Sequence, residues 1–123
     1  MLHLLVATMA VAQPANGGVG DLCQVAQRIS ARENAALPLY RDSGEIQPIV
    51  VSCEQRQWAM RAVSYYPAPE HYRARAWARE HEAVLNRTVC QDRTFGEMVR
   101  QGWRFTQTTT FEGGESRSVQ ARC

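Results

Sequence analysis

A chain of 123 residues with a formal net charge of +2 is long enough for one domain with a single, modest core. All fourteen basic residues are arginines. The nearly balanced charge argues against a nucleic-acid-binding protein, whose surface would carry a strong basic excess. Arg73, Arg75 and Arg79 cluster around Trp77, but neighbouring glutamates balance them, so we expect a solvated helix face there.

The N-terminal residues have the composition of an export signal. Residues 1–12 are mostly apolar, too few to span a bilayer, and end in Ala10-Val11-Ala12, a small-residue cleavage pattern. We therefore predict a signal peptide over 1–12, a flexible leader over 13–20 and a single domain over 21–123. The protein is expected in the periplasm or outside a bacterial cell, without stable membrane insertion.

Four cysteines are spread evenly along the predicted domain: Cys23, Cys53, Cys90 and Cys123. An even number of cysteines behind an export signal indicates disulfides, and their spacing lacks the C-x₂₋₄-C knuckle of a zinc site. We predict no bound metal and no cofactor. Loop length alone leaves three connectivities open, because the entropies of loop closure are similar.

The apolar spacing predicts a helix and then a hairpin in the first half of the domain. The helix begins near Asp21, a suitable N-cap, and runs to about Ala36. A turn over 41–44 follows it. The runs 46–52 and 56–66 are rich in β-branched and aromatic residues, which favours two extended strands in a hairpin.

Two helices are predicted next. The segment 70–89 has apolar residues on one helical stripe and is expected to be the main core helix. A short helix over 93–100 follows, with Asp92 as its N-cap and Gly102 as the residue that closes it.

The end of the chain predicts a second hairpin. Aromatic and polar residues alternate over 103–111, as in a half-buried strand, and Gly113-Gly114 suits a tight turn before 115–123. The order helix, β-hairpin, helices, β-hairpin predicts an α+β fold. We expect an antiparallel sheet of about four strands with the helices on one face.

This arrangement favours one disulfide connectivity. Val119, Ala121 and Cys123 share one face of the last strand, and if that face is inward, Cys123 can meet Cys90 at the end of the core helix. Cys23 in the first helix would then pair with Cys53 at the end of the first hairpin strand.

A set of short motifs runs from about Glu33 to Cys123. It comprises Glu33-Asn34-Ala35-Ala36-Leu37-Pro38 with Asp42, Ser64-Tyr65-Tyr66, Val89-Cys90, Arg93, Met98-Val99, Gly102, Phe105, Phe111 and Cys123. These motifs resemble a family of small exported bacterial α+β proteins grouped with a quorum-sensing-regulated virulence factor. The resemblance implies a secreted or periplasmic domain without a cofactor, a Cys90–Cys123 bridge and an association with virulence. Cys23 and Cys53, and the Arg- and Trp-containing middle helix, depart from the family pattern.

No catalytic motif is present: the chain has no nucleophile elbow, P-loop, dinucleotide fingerprint or His-Glu-x-x-His. His81 lies between Glu80 and Glu82, which makes it the candidate base of a small hydrolase. Adjacent helix residues point about 100° apart, so the two carboxylates cannot both reach His81 from one side. Packing of His81 on Trp77 is the favoured interpretation.

We therefore predict a non-enzymatic binding protein whose partner is an unidentified protein of the envelope or the exterior. The candidate interface residues are Arg73, Trp77, Phe111, Glu112 and Arg117. One alternative is a periplasmic inhibitor or immunity-type protein that uses the loops 67–72 and 111–116. The other alternative is the small hydrolase that uses His81.

Overall fold

The computed structural model describes residues 19–123, with only the backbone described at positions 19 and 20. The predicted signal peptide and most of the predicted leader lie outside these residues. Three helices are present in this range: α1 (Val19–Asn34), α2 (His71–Cys90) and α3 (Arg93–Arg100). Within the same range, no helix has both the length and the apolar character needed to cross a membrane.

Six strands form one sheet. They are β1 (Leu39–Arg41), β2 (Gly44–Ile46), β3 (Val50–Ser52), β4 (Gln57–Pro67), β5 (Arg104–Glu112) and β6 (Ser116–Gln120). The strand order is β1-β2-β4-β5-β6, and β3 pairs with the first part of β4. The helices cover one face of this mostly antiparallel sheet, so the predicted α+β fold is confirmed.

The first predicted strand differs from the observed one. The run 46–52 is divided between β2 and β3, and β1 is a strand that the sequence analysis does not predict. Pro48, which cannot donate a ladder hydrogen bond, lies in the interruption. The side chain of Asn34 holds the chain there, because its Oδ1 accepts from the Ile49 N–H at 2.6 Å and its Nδ2 donates to the Ile49 carbonyl at 2.9 Å.

The centre of the sheet is parallel, whereas an antiparallel sheet was predicted. β4 and β5 run in the same direction in a register that matches Trp58 with Phe105 and Val63 with Thr110. The reason lies in the connection between them. α2 and α3 carry the chain from the end of β4 back to the edge where β4 begins, which a tight hairpin cannot do.

Local caps and turns agree with the sequence predictions in four places. The Asp92 carboxylate accepts a hydrogen bond from the Phe95 N–H at 3.0 Å, which caps α3. Gly102, Gly113 and Gly114 have φ values of +94°, +93° and +95°, as helix closure and a tight turn require. At α1 the prediction was wrong, since the helix already begins at Val19 and Asp21 lies in its first turn.

The core lies between the helices and the inner face of the sheet. Its centre is an aromatic cluster in which Trp58 contacts Phe95 and Phe105, with ring centres 5.2 and 5.6 Å apart. The apolar stripe of α1 closes this core from one side through Leu22, Val25, Ala26 and Ile29. Leu85 and Val89 of α2 and Met98 of α3 complete it.

Two disulfides fasten the domain. The structure pairs Cys90 with Cys123, whose Cα atoms are 5.3 Å apart, and Cys23 with Cys53, whose Cα atoms are 5.5 Å apart. This is the connectivity that the sequence geometry favours. The Cys90–Cys123 bridge ties the C-terminus to the end of α2, and the Cys23–Cys53 bridge ties α1 to the turn between β3 and β4.

Candidate functional site

The five predicted interface residues lie at one end of the sheet, around Phe111. The Trp77 and Phe111 rings meet edge to face with their centres 5.6 Å apart, and the Arg117 guanidinium carbon lies 6.0 Å from the centre of the Phe111 ring. Arg73 lines the same surface cavity as Phe111, and Glu112 follows Phe111 in β5.

The five predicted interface residues have different structural roles. Phe111 is only 7% exposed and is therefore a packing residue, while Trp77 of α2 is partly buried between the rings of Phe111 and His81. Arg117 forms an ion pair with Glu115 at 2.7 Å, and its Nη2 also donates to the Pro69 carbonyl at 3.0 Å. Arg117 thus ties the β5–β6 hairpin to the loop before α2. Arg73 and Glu112 are exposed and remain accessible to a partner.

The tyrosines at this end are not among the five predicted interface residues, although Tyr72 ends the loop 67–72 of the inhibitor alternative. Tyr65, Tyr66 and Tyr72 are 45%, 59% and 72% exposed, and the guanidinium carbon of Arg73 lies 5.5 Å from the Tyr72 ring centre. Tyr66, Tyr72 and Arg73 line a cavity of about 510 Å³ in front of Phe111. We call this end of the sheet, with Tyr65, Tyr66, Tyr72 and Arg73, the tyrosine surface; Tyr65 precedes Tyr66 in β4 and lies outside the lining of the cavity. Their signal in the sequence is a pair of tyrosine-containing segments that flank two prolines.

Backbone hydrogen bonds hold the tyrosine surface in place. The Tyr65 N–H donates to the Ser43 carbonyl at 3.0 Å, and the Tyr66 N–H donates to the Ser64 hydroxyl at 3.1 Å. The Arg117 contact with Pro69 restrains the loop that follows. A surface ordered before binding loses less conformational entropy when a partner docks.

A second concave surface, which we call the groove, lies on the helix side of the sheet. β4 and β5 form its floor, α2 forms one wall, and the end of α1 with the β1–β2 hairpin forms the other. Its apolar part has a volume of about 420 Å³ and is lined by residues that include Leu37, Leu39, Ile46, Ile49, Met60 and Phe105. Leu39 and Ile46 are 39% and 38% exposed because none of the three helices within residues 19–123 covers β1 and β2.

The groove continues into a more polar part of about 240 Å³ beside α2. Arg41, Ser43, Ser64 and His81 line this part, while Ile46, Ala62 and Gln107 line both parts. The alternation of strand residues predicted one apolar face for β5. It did not predict that the matching faces of β1 and β2 stay uncovered.

His81 is packed as the favoured interpretation predicts. Its ring stacks on Trp77 with the centres 4.1 Å apart, and its Nδ1 lies 2.9 Å from the Trp77 carbonyl oxygen. Because a carbonyl oxygen only accepts, Nδ1 is the donor in this bond. The proposed carboxylate partners lie elsewhere: Glu82 pairs with Arg122 at 3.8 Å and Glu80 is exposed. Residues 19–123 contain no group of three or more His, Cys, Asp or Glu side chains able to hold a metal ion.

Comparison with known proteins identifies similar folds. A crystal structure of a candidate secreted protein from Pseudomonas aeruginosa superposes with a TM-score of 0.61 at 14% identity, covering 81% of this chain and 88% of that one. A type 2 secretion system pilotin from Vibrio vulnificus superposes with a TM-score of 0.46 at 15% identity, covering 80% and 86%. No family model and no curated protein sequence matches the chain. At such identities the similarity concerns the fold alone.

Proposed function

We propose that this chain is an exported, non-enzymatic binding protein that contacts a protein partner through the tyrosine surface. The observation that carries the proposal is the exposure of Tyr65, Tyr66 and Tyr72 beside Arg73 on a restrained end of the sheet. Tyrosine and arginine are enriched among the residues that dominate protein interfaces. Tyrosine offers a large amphipathic contact area and has few rotatable bonds to order.

Two features support export. The domain carries two disulfides, which persist in the periplasm and outside the cell, and the first twelve residues have the pattern of a cleaved signal. The family resemblance adds the association with virulence to the proposal. That association rests on the short sequence motifs and supplies no chemical activity.

An inhibitor or immunity-type role is a special case of this proposal, in which the partner is an enzyme or toxin. The contact between Arg117 and the Pro69 carbonyl supports it, because this contact joins the loops 67–72 and 111–116 into one surface. Such a role predicts that complex formation abolishes the activity of the partner. A binding protein of another kind would leave that activity unchanged.

Site-specific photo-cross-linking in the producing cell tests the proposal. We would place benzoylphenylalanine at Tyr72 and, as a control, at Val50, which is 47% exposed on β3 far from the tyrosine surface. We expect one protein adduct from position 72 and none from position 50.

Serine variants complete the test. The double variant Tyr65→Ser/Tyr66→Ser should abolish the adduct formed from position 72, whereas Tyr40→Ser, which removes an exposed tyrosine two strands away from β4, should preserve it. All of these variants should keep the wild-type melting temperature, since the side chains are exposed. An adduct that persists in the double variant would contradict the proposed surface.

A further inference from the structure

We propose that the groove is a binding site for a single-chain amphiphile with an anionic head group. The acyl chain lies on the apolar part of the groove, and the head group lies at Arg41. This site shares Ser64 and Phe111 with the cavity at the tyrosine surface, but it does not depend on the proposed protein partner.

The apolar part of the groove has the size of a small-molecule site. Its volume of about 420 Å³ falls within the range of about 300–1,000 Å³ that is usual for ligand pockets. Ala62 is the smallest side chain on the floor and belongs to both parts of the groove, so the middle stays open. Leu39 and Ile46 face this space from neighbouring strands and are still more than one-third exposed. A flexible hydrocarbon chain would cover both.

The charge at the polar end of the groove indicates which head group would bind there. Arg41 pairs with Gly44, and Gly44 pairs with Ser64, so the side chains of Arg41 and Ser64 project on the same face of the sheet, the groove side. Glu45 also borders this part, but as the next residue in β2 its side chain points to the opposite face. Among the described residues, Arg41 takes part in no ion pair. The guanidinium of Arg41 and the hydroxyl of Ser43 therefore suit a carboxylate or a phosphate, and the Ser64 hydroxyl beside them already accepts from the Tyr66 N–H.

The length of the groove limits the length of the acyl chain that it can bind. Phe105 and Phe111 line its two ends on β5, and six residue steps of about 3.3 Å set an upper limit of about 20 Å to the length of the floor. Each methylene buried on this floor should tighten binding about fourfold, because it contributes about 0.8 kcal/mol. This gain should stop once the chain is longer than the floor.

Isothermal titration calorimetry on the oxidised protein, below the critical micelle concentration, tests these statements. The chain-length series is octanoate, decanoate, dodecanoate and myristate, and we expect a steady gain in affinity along it. Dodecyl phosphate distinguishes a phosphate head from a carboxylate head. Dodecyltrimethylammonium, with the same chain and a cationic head, should bind more weakly than both. Equal affinity for the cationic and anionic amphiphiles would overturn the proposed head-group site.

Three variants locate the site. Ala62→Leu fills the middle of the floor and should abolish binding of myristate. Arg41→Gln should weaken dodecanoate binding up to about fivefold and leave dodecanol binding unchanged, as expected for a partly solvated ion pair. Arg104→Gln is the matched control, because Arg104 is exposed and pairs with Gln57 on the opposite face of the sheet. Equal weakening by the two arginine variants would refute the role of Arg41.

Methyl NMR of the wild-type protein makes the test independent of variant folding. Myristate should shift the resonances of Leu39 and Ile46, and it should leave those of Val50 unchanged. Unshifted Leu39 and Ile46 resonances at saturation would overturn the proposal. So would an amphipathic peptide that occupies the groove and is not displaced by myristate, since the occupant would then be a protein.

Discussion

Trp58 and Trp77 provide a test of where the core ends. Trp58 is 1% exposed and lies within the aromatic cluster, in contact with Phe95 and Phe105. Trp58→Ala removes the whole indole and leaves a cavity, so it should lower the free energy of unfolding by about 3–5 kcal/mol. This is a large share of the roughly 5–15 kcal/mol that stabilises a typical domain.

Trp77→Ala should cost less. The Trp77 ring is half-buried, with one face stacked on His81 and its edge against Phe111. Because only the smaller part of its surface is in water, we expect a loss of about 2–3 kcal/mol, roughly two-thirds of the value for a fully buried indole. The two variants make the same chemical change, so their difference reports how deeply each ring is buried and how well it is packed.

Urea denaturation with both disulfides intact would measure the two losses. The midpoints should fall in the order wild type, Trp77→Ala, Trp58→Ala, with similar slopes. If Trp58→Ala does not fold, Trp58→Phe serves in its place and should still cost more than Trp77→Phe. Equal losses for Trp58 and Trp77 would refute the conclusion that Trp77 lies at the border of the core. They would also contradict an open polar end of the groove, because Trp77 lines that end.

Two further predictions concern the bridge at the C-terminus and the cap of α3. Cys90→Ser breaks a bridge that spans 33 residues and should destabilise the oxidised protein by about 3–4 kcal/mol. The melting temperature should fall by about 4–8 °C for each kcal/mol lost. An unchanged melting temperature would show that the Cys90–Cys123 bridge contributes nothing to stability. Asp92→Ala removes the acceptor for the Phe95 N–H and should lower the free energy of unfolding in urea by about 1 kcal/mol. Asp92→Asn keeps an acceptor oxygen and should retain most of that stability. Equal losses for the two variants would mean that the cap is not the cause.

Features that depend on a few neighbouring residues were predicted correctly. The Asp92 cap and the left-handed glycines at 102, 113 and 114 follow from local backbone chemistry, which is the same in any fold. The stack of His81 on Trp77 follows in the same way from the four-residue spacing of a helix. The division of 46–52 was missed because the contact that holds Ile49 comes from Asn34, fifteen residues earlier.

The direction of β5 could not be predicted from its alternation. A strand with one aromatic face has the same pattern whether its neighbour is parallel or antiparallel. The path of α2 and α3 decided the direction, and with it the register that places Trp58 beside Phe105. The aromatic residues of the core were therefore identifiable from the sequence, but their partners were not.

The sequence by itself determined the α+β class, the helices, the turns and the residues able to form disulfides, because periodicity and local backbone preferences act over a few residues. Only the tertiary structure decided which surfaces stay uncovered. The tyrosine surface forms where the end of β4, the start of α2 and the β5–β6 hairpin meet. The groove forms because α1, α2 and α3, the helices of the described part of the chain, leave β1 and β2 uncovered. A repeat of apolar residues shows which face of a strand can be buried, whereas the positions of distant elements determine whether it is.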